Sequence, residues 1–259
     1  MFQSVRFARQ QNVDPPASAE TVIDAMMSQR LDFAPGERYA YSNFGYCLLG
    51  RVIEKLTGVS YEEAVRNAVL KPIGAGAMRI GPTRLEGRSE HEVRYYHVSQ
   101  AESVFAEDLG QQVPSQYGGW YLEAMDSHGG WIASAMDLAR FGAALDRPEQ
   151  SPLLKAETIR LMHERPEGRA GHEEDGTPSE TFYSLGWMNR VVGPDRLNHW
   201  HTGSLPGTAT ILIRRHDGVN LVAVMNTRTS PTSAHLGRDI DAALHRAANS
   251  VSRWKTPSP

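Results

Sequence analysis

Two hydrophobic periods divide the chain. As far as residue 180, apolar residues recur mostly at helical spacing, and from Thr181 onward they recur at strand spacing. Ser18 predicts a capped helix running to about residue 30, with Glu20 in its first turn. Leu49, Val52, Ile53 and Leu56 predict a helix over about 43–57, stopped by Gly58. Ser60-x-x-Glu63 reads as a capping box for a helix that ends before Pro72. Ser134-x-x-Asp137 caps another helix, and a short one covers about 155–163. Residues 1–16 end in Asp14-Pro15-Pro16 and read as a polar lead-in. Between 73 and 130 only Val93–Val98 looks like a strand, and 164–180 is an acidic, Gly/Pro-rich loop.

Beyond that point the pattern predicts a strand over 182–188, continued by Val191-Val192. Gly193-Pro194-Asp195 turns it back into 197–200. Thr208–Arg214 is the next strand, and Asp217-Gly218 is a hairpin turn into 219–225. A helix over about 233–251 closes the chain. Strands joined by turns imply an antiparallel sheet with a helix available to cover one face. The expected fold class is α+β. A mostly helical region, 1–180, and a sheet-plus-helix region, 181–259, together form one domain.

Composition narrows the function classes without choosing one. The chain has 259 residues, enough for a substantial core. A net charge of −3 gives no reason to expect nucleic acid or an anionic membrane as partner. The single cysteine, Cys47, excludes an internal disulfide and a cysteine metal cluster, and its apolar neighbours make it a buried, inert thiol. No apolar run approaches bilayer length, and the N-terminus lacks a signal-peptide core, so the chain as given is expected to be cytoplasmic. No cofactor and no metal are expected. His199 and His201 alternate on one strand face, but no third ligand is evident.

The candidate chemistry centres on Tyr41-Ser42-Asn43, which follows the Pro35-Gly36 turn where a helix opens. Alone, that tripeptide is a helix cap with an aromatic neighbour. A second stretch, His201-Thr202-Gly203-Ser204-Leu205-Pro206-Gly207, changes its meaning. Together with Gly129-Gly130-Trp131 and the residues to Phe141, these motifs resemble, in chain order, the β-lactamase-related serine hydrolases. Class C β-lactamases, D-alanyl-D-alanine carboxypeptidases and related esterases belong to that group. The resemblance implies a β-lactamase/transpeptidase-like fold and acyl transfer on an ester, a D-alanyl peptide or a β-lactam. It implies that Tyr41 is the base or proton relay for a serine nucleophile, with His201 as a nearby cation that would lower its pKa. Asn43 would bind a substrate amide, Thr202 a substrate carboxylate, and Gly203 completes the motif. The backbone N–H of Ser204 would be half of an oxyanion hole.

One motif of that family does not match. Its Ser-x-x-Lys precedes Tyr-x-Asn, yet none of the forty residues before Tyr41 is a lysine. The only Ser-x-x-Lys is Ser252-Arg253-Trp254-Lys255, which follows both other motifs and reads as coincidence. The expectation is therefore an N-terminally incomplete hydrolase, inactive as this chain. Its alternatives are a ligand-binding pseudoenzyme or a module completed by a partner chain. An exposed sheet edge and uncovered helix faces should accompany the missing segment. Ser42 as a replacement nucleophile is weaker than Ser42 as a cap, and the His172-Glu173-Glu174-Asp175 run lacks a second metal-binding histidine.

Overall fold

The computed structural model describes residues 3–254. Lys255, the end of the C-terminal Ser-x-x-Lys match, lies outside the described residues. The N-terminal part begins with α1, Ser4–Gln10, and α2, Ala19–Met27. The expected lead-in is therefore partly helical. Ala8, Ala17 and Val22 form a small buried cluster there, and Ser4 Oγ accepts from the Ala17 N–H at 2.8 Å. Burial of those alanines outweighs the polar character of the flanking sequence. As expected, the Ser18 hydroxyl caps α2 by accepting from the Thr21 N–H.

The helix α3, Asn43–Thr57, carries the first motif at its start. Gly58 ends it in the left-handed conformation, at φ 73°, which costs glycine nothing sterically. Arg51 ties α3 to its surroundings through Glu20 on α2 and Asp126 beyond it. After α4, Tyr61–Val65, a π-helical turn runs to Leu70. Four short strands follow: β1, Arg79–Ile80; β2, Gln100–Glu102; β3, Gln112–Pro114; and β4, Trp131–Ile132. They form two ribbons, β1 with β4 and β2 with β3.

Val93–Val98 is not a strand. Its backbone is satisfied largely by side chains: the Tyr117 hydroxyl meets the Tyr95 N–H, and the Gln116 and Asn226 amides donate to the Tyr95 and Arg94 carbonyls. Alternating residues suit a strand, but here partners from distant side chains took the place of a ladder.

The helices α5, Ala135–Ala143, and α6, Ala156–His163, lead into the main sheet. A reciprocal Ser134/Asp137 capping box opens α5. The sheet is a five-stranded antiparallel meander in the order β5-β6-β7-β8-β9. Its strands are β5, Thr181–Tyr183; β6, Met188–Gly193; β7, Arg196–Leu205; β8, Thr208–Arg214; and β9, Asn220–Met225. The expected single strand over 182–188 is instead a hairpin, broken at Ser184-Leu185-Gly186, where Gly186 has φ 84°. The closing helix α7, Leu236–Asn249, packs on β7 and β8.

A core cluster of Leu145, Ile159, Trp187 and Leu212 crosses residue 180 and joins helices to sheet. Beside it lies a polar core. Arg214 is only 5% exposed and is held by Asp146, by the Leu145 carbonyl at 2.6 Å and by His163 Nε2 at 2.8 Å. A guanidinium only donates, so His163 Nε2 must accept and the ring is neutral. His199 stacks on His163 with ring centroids 4.0 Å apart and bonds Asn189 Oδ1 through Nδ1. Burial, reinforced by His199 and then by Arg214, holds His163 down to about 3, and burial reinforced by Arg214 holds His199 to about 4.

One face of α3 is left uncovered among the described residues: Leu49, Val52 and Leu56 are 53%, 44% and 80% exposed. Along the outer edge of β9, the chain at Tyr96 makes contact through its N–H to the Asn226 carbonyl. No helix of the described residues is long and apolar enough to cross a membrane.

Two predictions follow from the polar core. Asp146→Ala strands a buried guanidinium and should destabilise the fold by about 3 kcal/mol, read as a lower urea midpoint; an unchanged midpoint would contradict this role. The folded pKa of each buried histidine lies below its unfolded value near 6.5. The unfolded chain therefore binds more protons as the pH falls, and stability present above about 6.5 is lost toward 4. His163→Phe should reduce that loss between pH 7 and 5, and an equal loss in both proteins would refute the assignment.

Candidate active site

The site forms where β7 outruns its neighbour. Strand β6 begins at Met188, opposite Trp200, so, among the described residues, 201–205 of β7 are paired on the β8 side only. Leu205 and Thr208 close the β7–β8 hairpin across Pro206-Gly207, and Gly207 takes φ 89°. Hydrogen-bonded and non-bonded pairs alternate along an antiparallel ladder. Counting back from the turn, the Ser204 and Thr202 backbone groups point away from β8 toward the free edge. A donor on a rigid edge strand is what an oxyanion hole requires. The Thr202 carbonyl on this edge accepts from His201 Nδ1 at 2.8 Å.

Side-chain alternation divides the motif. His201 and Gly203 face the helical region, whereas Thr202 and Ser204 project from the other face. A Cβ on Gly203 would lie 2.5 Å from Thr210 Oγ1, so the glycine also has a packing reason. Asn43 opens α3, and its side-chain amide makes no hydrogen bond within the described residues. Ser42 is the cap, its hydroxyl accepting from the Gly45 N–H at 3.0 Å. A hydroxyl engaged in this way fits the capping role expected for it.

The structure brings Tyr41 and His201 together, with ring centroids 6.5 Å apart, but does not join them by a hydrogen bond. Tyr183 stands against both. Its hydroxyl is 2.9 Å from His201 Nε2, its ring meets Tyr41 edge-on at 6.3 Å, and Tyr39 stacks on it at 5.4 Å. Tyr46 lies against the Tyr183 hydroxyl from α3. Tyr39, Tyr41, Tyr46 and Tyr183 border an open cavity of about 280 Å³, which Ala40, Ser42, Gly45, Leu49 and Ser184 also line.

The electrostatics differ from the expectation of a cation beside Tyr41. Burial pushes the Tyr41 phenol up, with the Tyr46 phenol adding to it. Burial pushes His201 down, only partly offset by its bond to the Thr202 carbonyl. His201 is therefore neutral near pH 7 and does not lower Tyr41. Tyr183 is pushed up by burial and by the surrounding phenols.

Sequence reasoning did not identify Tyr183, Tyr39 or Tyr46. The signal for Tyr183 was Gly186, which marks the hairpin that swings residue 183 beside the β7 edge. Trp120 is buried, Trp131 packs with Leu138 and Tyr61, and Arg190 lies over the Trp200 ring, so none of the three tryptophans lines the cavity. His199 turns to Asn189 and His163 and shares no ligand position with His201. Among the described residues no group of three or more His, Cys, Asp or Glu could hold a metal ion.

Comparison with known proteins bears on the family and the fold. The Beta-lactamase family model matches residues 3–246. Penicillin-binding protein 4* of Bacillus subtilis (strain 168) is 25% identical over 248 residues, which are 90% of this chain and 48% of that protein. Among solved structures, the D-amino acid amidase of Ochrobactrum anthropi SV3, complexed with L-phenylalanine amide, superposes with a TM-score of 0.63 at 20% identity. That match covers 92% of this chain and 65% of the amidase. A D-stereospecific amidohydrolase from Streptomyces sp. gives 0.60 at 23% identity, covering 81% of this chain and 56% of the other. The chain spans about half the length of the curated relative. With the family pattern extending across almost all of the described residues, and with Tyr41 of its Tyr-x-Asn segment beside His201 of its His-Thr-Gly segment, the chain belongs to the β-lactamase family of serine hydrolases.

Proposed function

We propose that the protein takes part in acyl transfer on an ester or amide, through a covalent acyl-serine that water later releases. The observation that carries this reading is the free β7 edge, with the Ser204 N–H directed outward on the strand whose His201 lies beside Tyr41. Carbonyl attack places charge on oxygen, and a fixed N–H on a rigid strand stabilises that charge. Tyr41 moves the proton between the nucleophile and the leaving group. Asn43, whose amide is free within the described residues, orients the substrate amide. The side chains of Thr202 and Ser204 act from the far face of β7, so Thr202 meets a substrate carboxylate only where the ligand wraps that edge.

A phenol pushed up by burial is a poor base at neutral pH. Its neighbours in the described site are tyrosines and a neutral histidine, so the cation that lowers it is supplied by another group. The lysine of a Ser-x-x-Lys motif is a group of that kind. No such motif precedes Tyr41 in this chain, so the chain by itself is inactive and binds without turnover. The amide-directed relatives favour amides as the substrate class, with β-lactams and D-alanyl peptides entering by the same chemistry.

The test is a fluorophosphonate probe applied to the protein from its native host, read by intact mass. The expected result is one adduct on a species heavier than this chain, with Tyr41→Phe slowing labelling by about 100-fold or more. The present chain alone should take no adduct. An adduct on Ser42 or Ser252 of this chain would overturn the assignment of Tyr41 to a separate serine. Saturable amide binding with no adduct on any species would favour a pocket that binds without catalysing.

A further inference from the structure

We infer that Tyr183 is a positioning residue, whose hydroxyl donates to His201 Nε2 and, with the Thr202 carbonyl on Nδ1, fixes that imidazole as a neutral hydrogen-bond acceptor. The inference deepens the acyl-transfer reading and rests on it for its catalytic meaning, although the tautomer itself does not.

The argument begins at Nδ1. Its partner is a backbone carbonyl, 2.8 Å away, and a carbonyl only accepts. Nδ1 therefore carries the proton. A neutral imidazole has one N–H, which leaves Nε2 as a lone-pair acceptor. Its partner is the Tyr183 hydroxyl at 2.9 Å, so the phenol must donate. Both ring nitrogens are then satisfied, and neither can bond Tyr41 without breaking an existing bond.

The surroundings preserve that state. The aromatic groups facing the ring are Tyr183 from β5 and Tyr41 from the loop before α3. Tyr39 stacks on the Tyr183 ring, and Tyr46 lies against the Tyr183 hydroxyl, whose oxygen can accept from it while its proton goes to His201. Among the described residues no carboxylate, arginine or lysine is paired with His201, so nothing charged there favours the imidazolium. Tyr39, stacked on the Tyr183 ring, restricts where the hydroxyl can point.

The consequence is a division of labour between two phenols that sequence alone makes equivalent. Tyr183 spends its proton on His201 and is withheld from proton transfer. Tyr41 makes no hydrogen bond to the imidazole and remains available to substrate. His201 holds the β7 edge and does not act as an acid. Its place in the motif is then a geometric one, which sets the Thr202 carbonyl and the adjoining Ser204 N–H.

The experiment is long-range proton–nitrogen NMR of the imidazole rings, with the His201 signals assigned by a His201→Gln variant. In the wild-type protein at pH 7, Nδ1 should be protonated and Nε2 should not. An Nε2–H tautomer, or a charged ring, would overturn the proposal on the wild-type protein alone, whether or not any variant folds. Tyr183→Phe removes a donor to the neutral form, so the His201 titration midpoint should move upward and the Nε2 signal should shift. Tyr39→Phe keeps the stack and should leave both unchanged. A purely structural Tyr183 would leave the tautomer and midpoint alone, and that result would refute the assignment. No substrate enters these measurements. Failure of the acyl-transfer reading would appear in labelling, with the tautomer intact.

Discussion

The constraint behind the candidate site is a mismatch in strand length. Strand β7 is ten residues long and β6 is six, and the two are in register only as far as Trp200 and Met188. Among the described residues, the remaining five residues of β7 pair with β8 alone. They are rigid because the two-residue turn and the β8–β9 ladder fix them. They are also open, because the turn at Ser184–Gly186 carries the chain away. An edge of unpaired backbone groups is normally a liability. Here it meets a tyrosine-rich wall from β5, α3 and the loop before α3.

Beneath that edge, the core keeps β7 in place. Arg214 sits opposite His199 on the next strand, and Asp146, His163 and the Leu145 carbonyl hold it from the helical side. Buried polar groups demand complete partners, so this network penalises any shift of α5 or α6 against the sheet. The same strand that carries His201 toward the cavity is thereby anchored, two residues earlier, to helices on the inner face. Site geometry and core polarity are coupled through a few residues of β7.

How much of this was legible in the sequence depended on whether the decisive interactions were local. The helix from Asn43 to Thr57 was legible because its cap, apolar spacing and stop glycine all lie within the segment. Thr208–Arg214 and its hairpin were legible for the same reason. Val93–Val98 has strand residues, but Tyr117, Gln116 and Asn226 supply its hydrogen bonds from elsewhere in the chain. Motif order picked out Tyr41, Asn43 and His201 as candidates, but gave no sign of the electrostatics around Tyr41 and His201. Only the folded chain reveals that Tyr183 occupies His201 Nε2, or that burial leaves the histidine neutral.

The most direct test of the site is a crystal structure of the protein bound to a boronic acid or phosphonate analogue of the acyl-transfer intermediate. The account predicts one analogue oxygen within about 3 Å of the Ser204 backbone nitrogen on the free β7 edge, with the Tyr41 hydroxyl on the same bound group. An analogue bound elsewhere, with the Ser204 N–H facing only solvent, would contradict it.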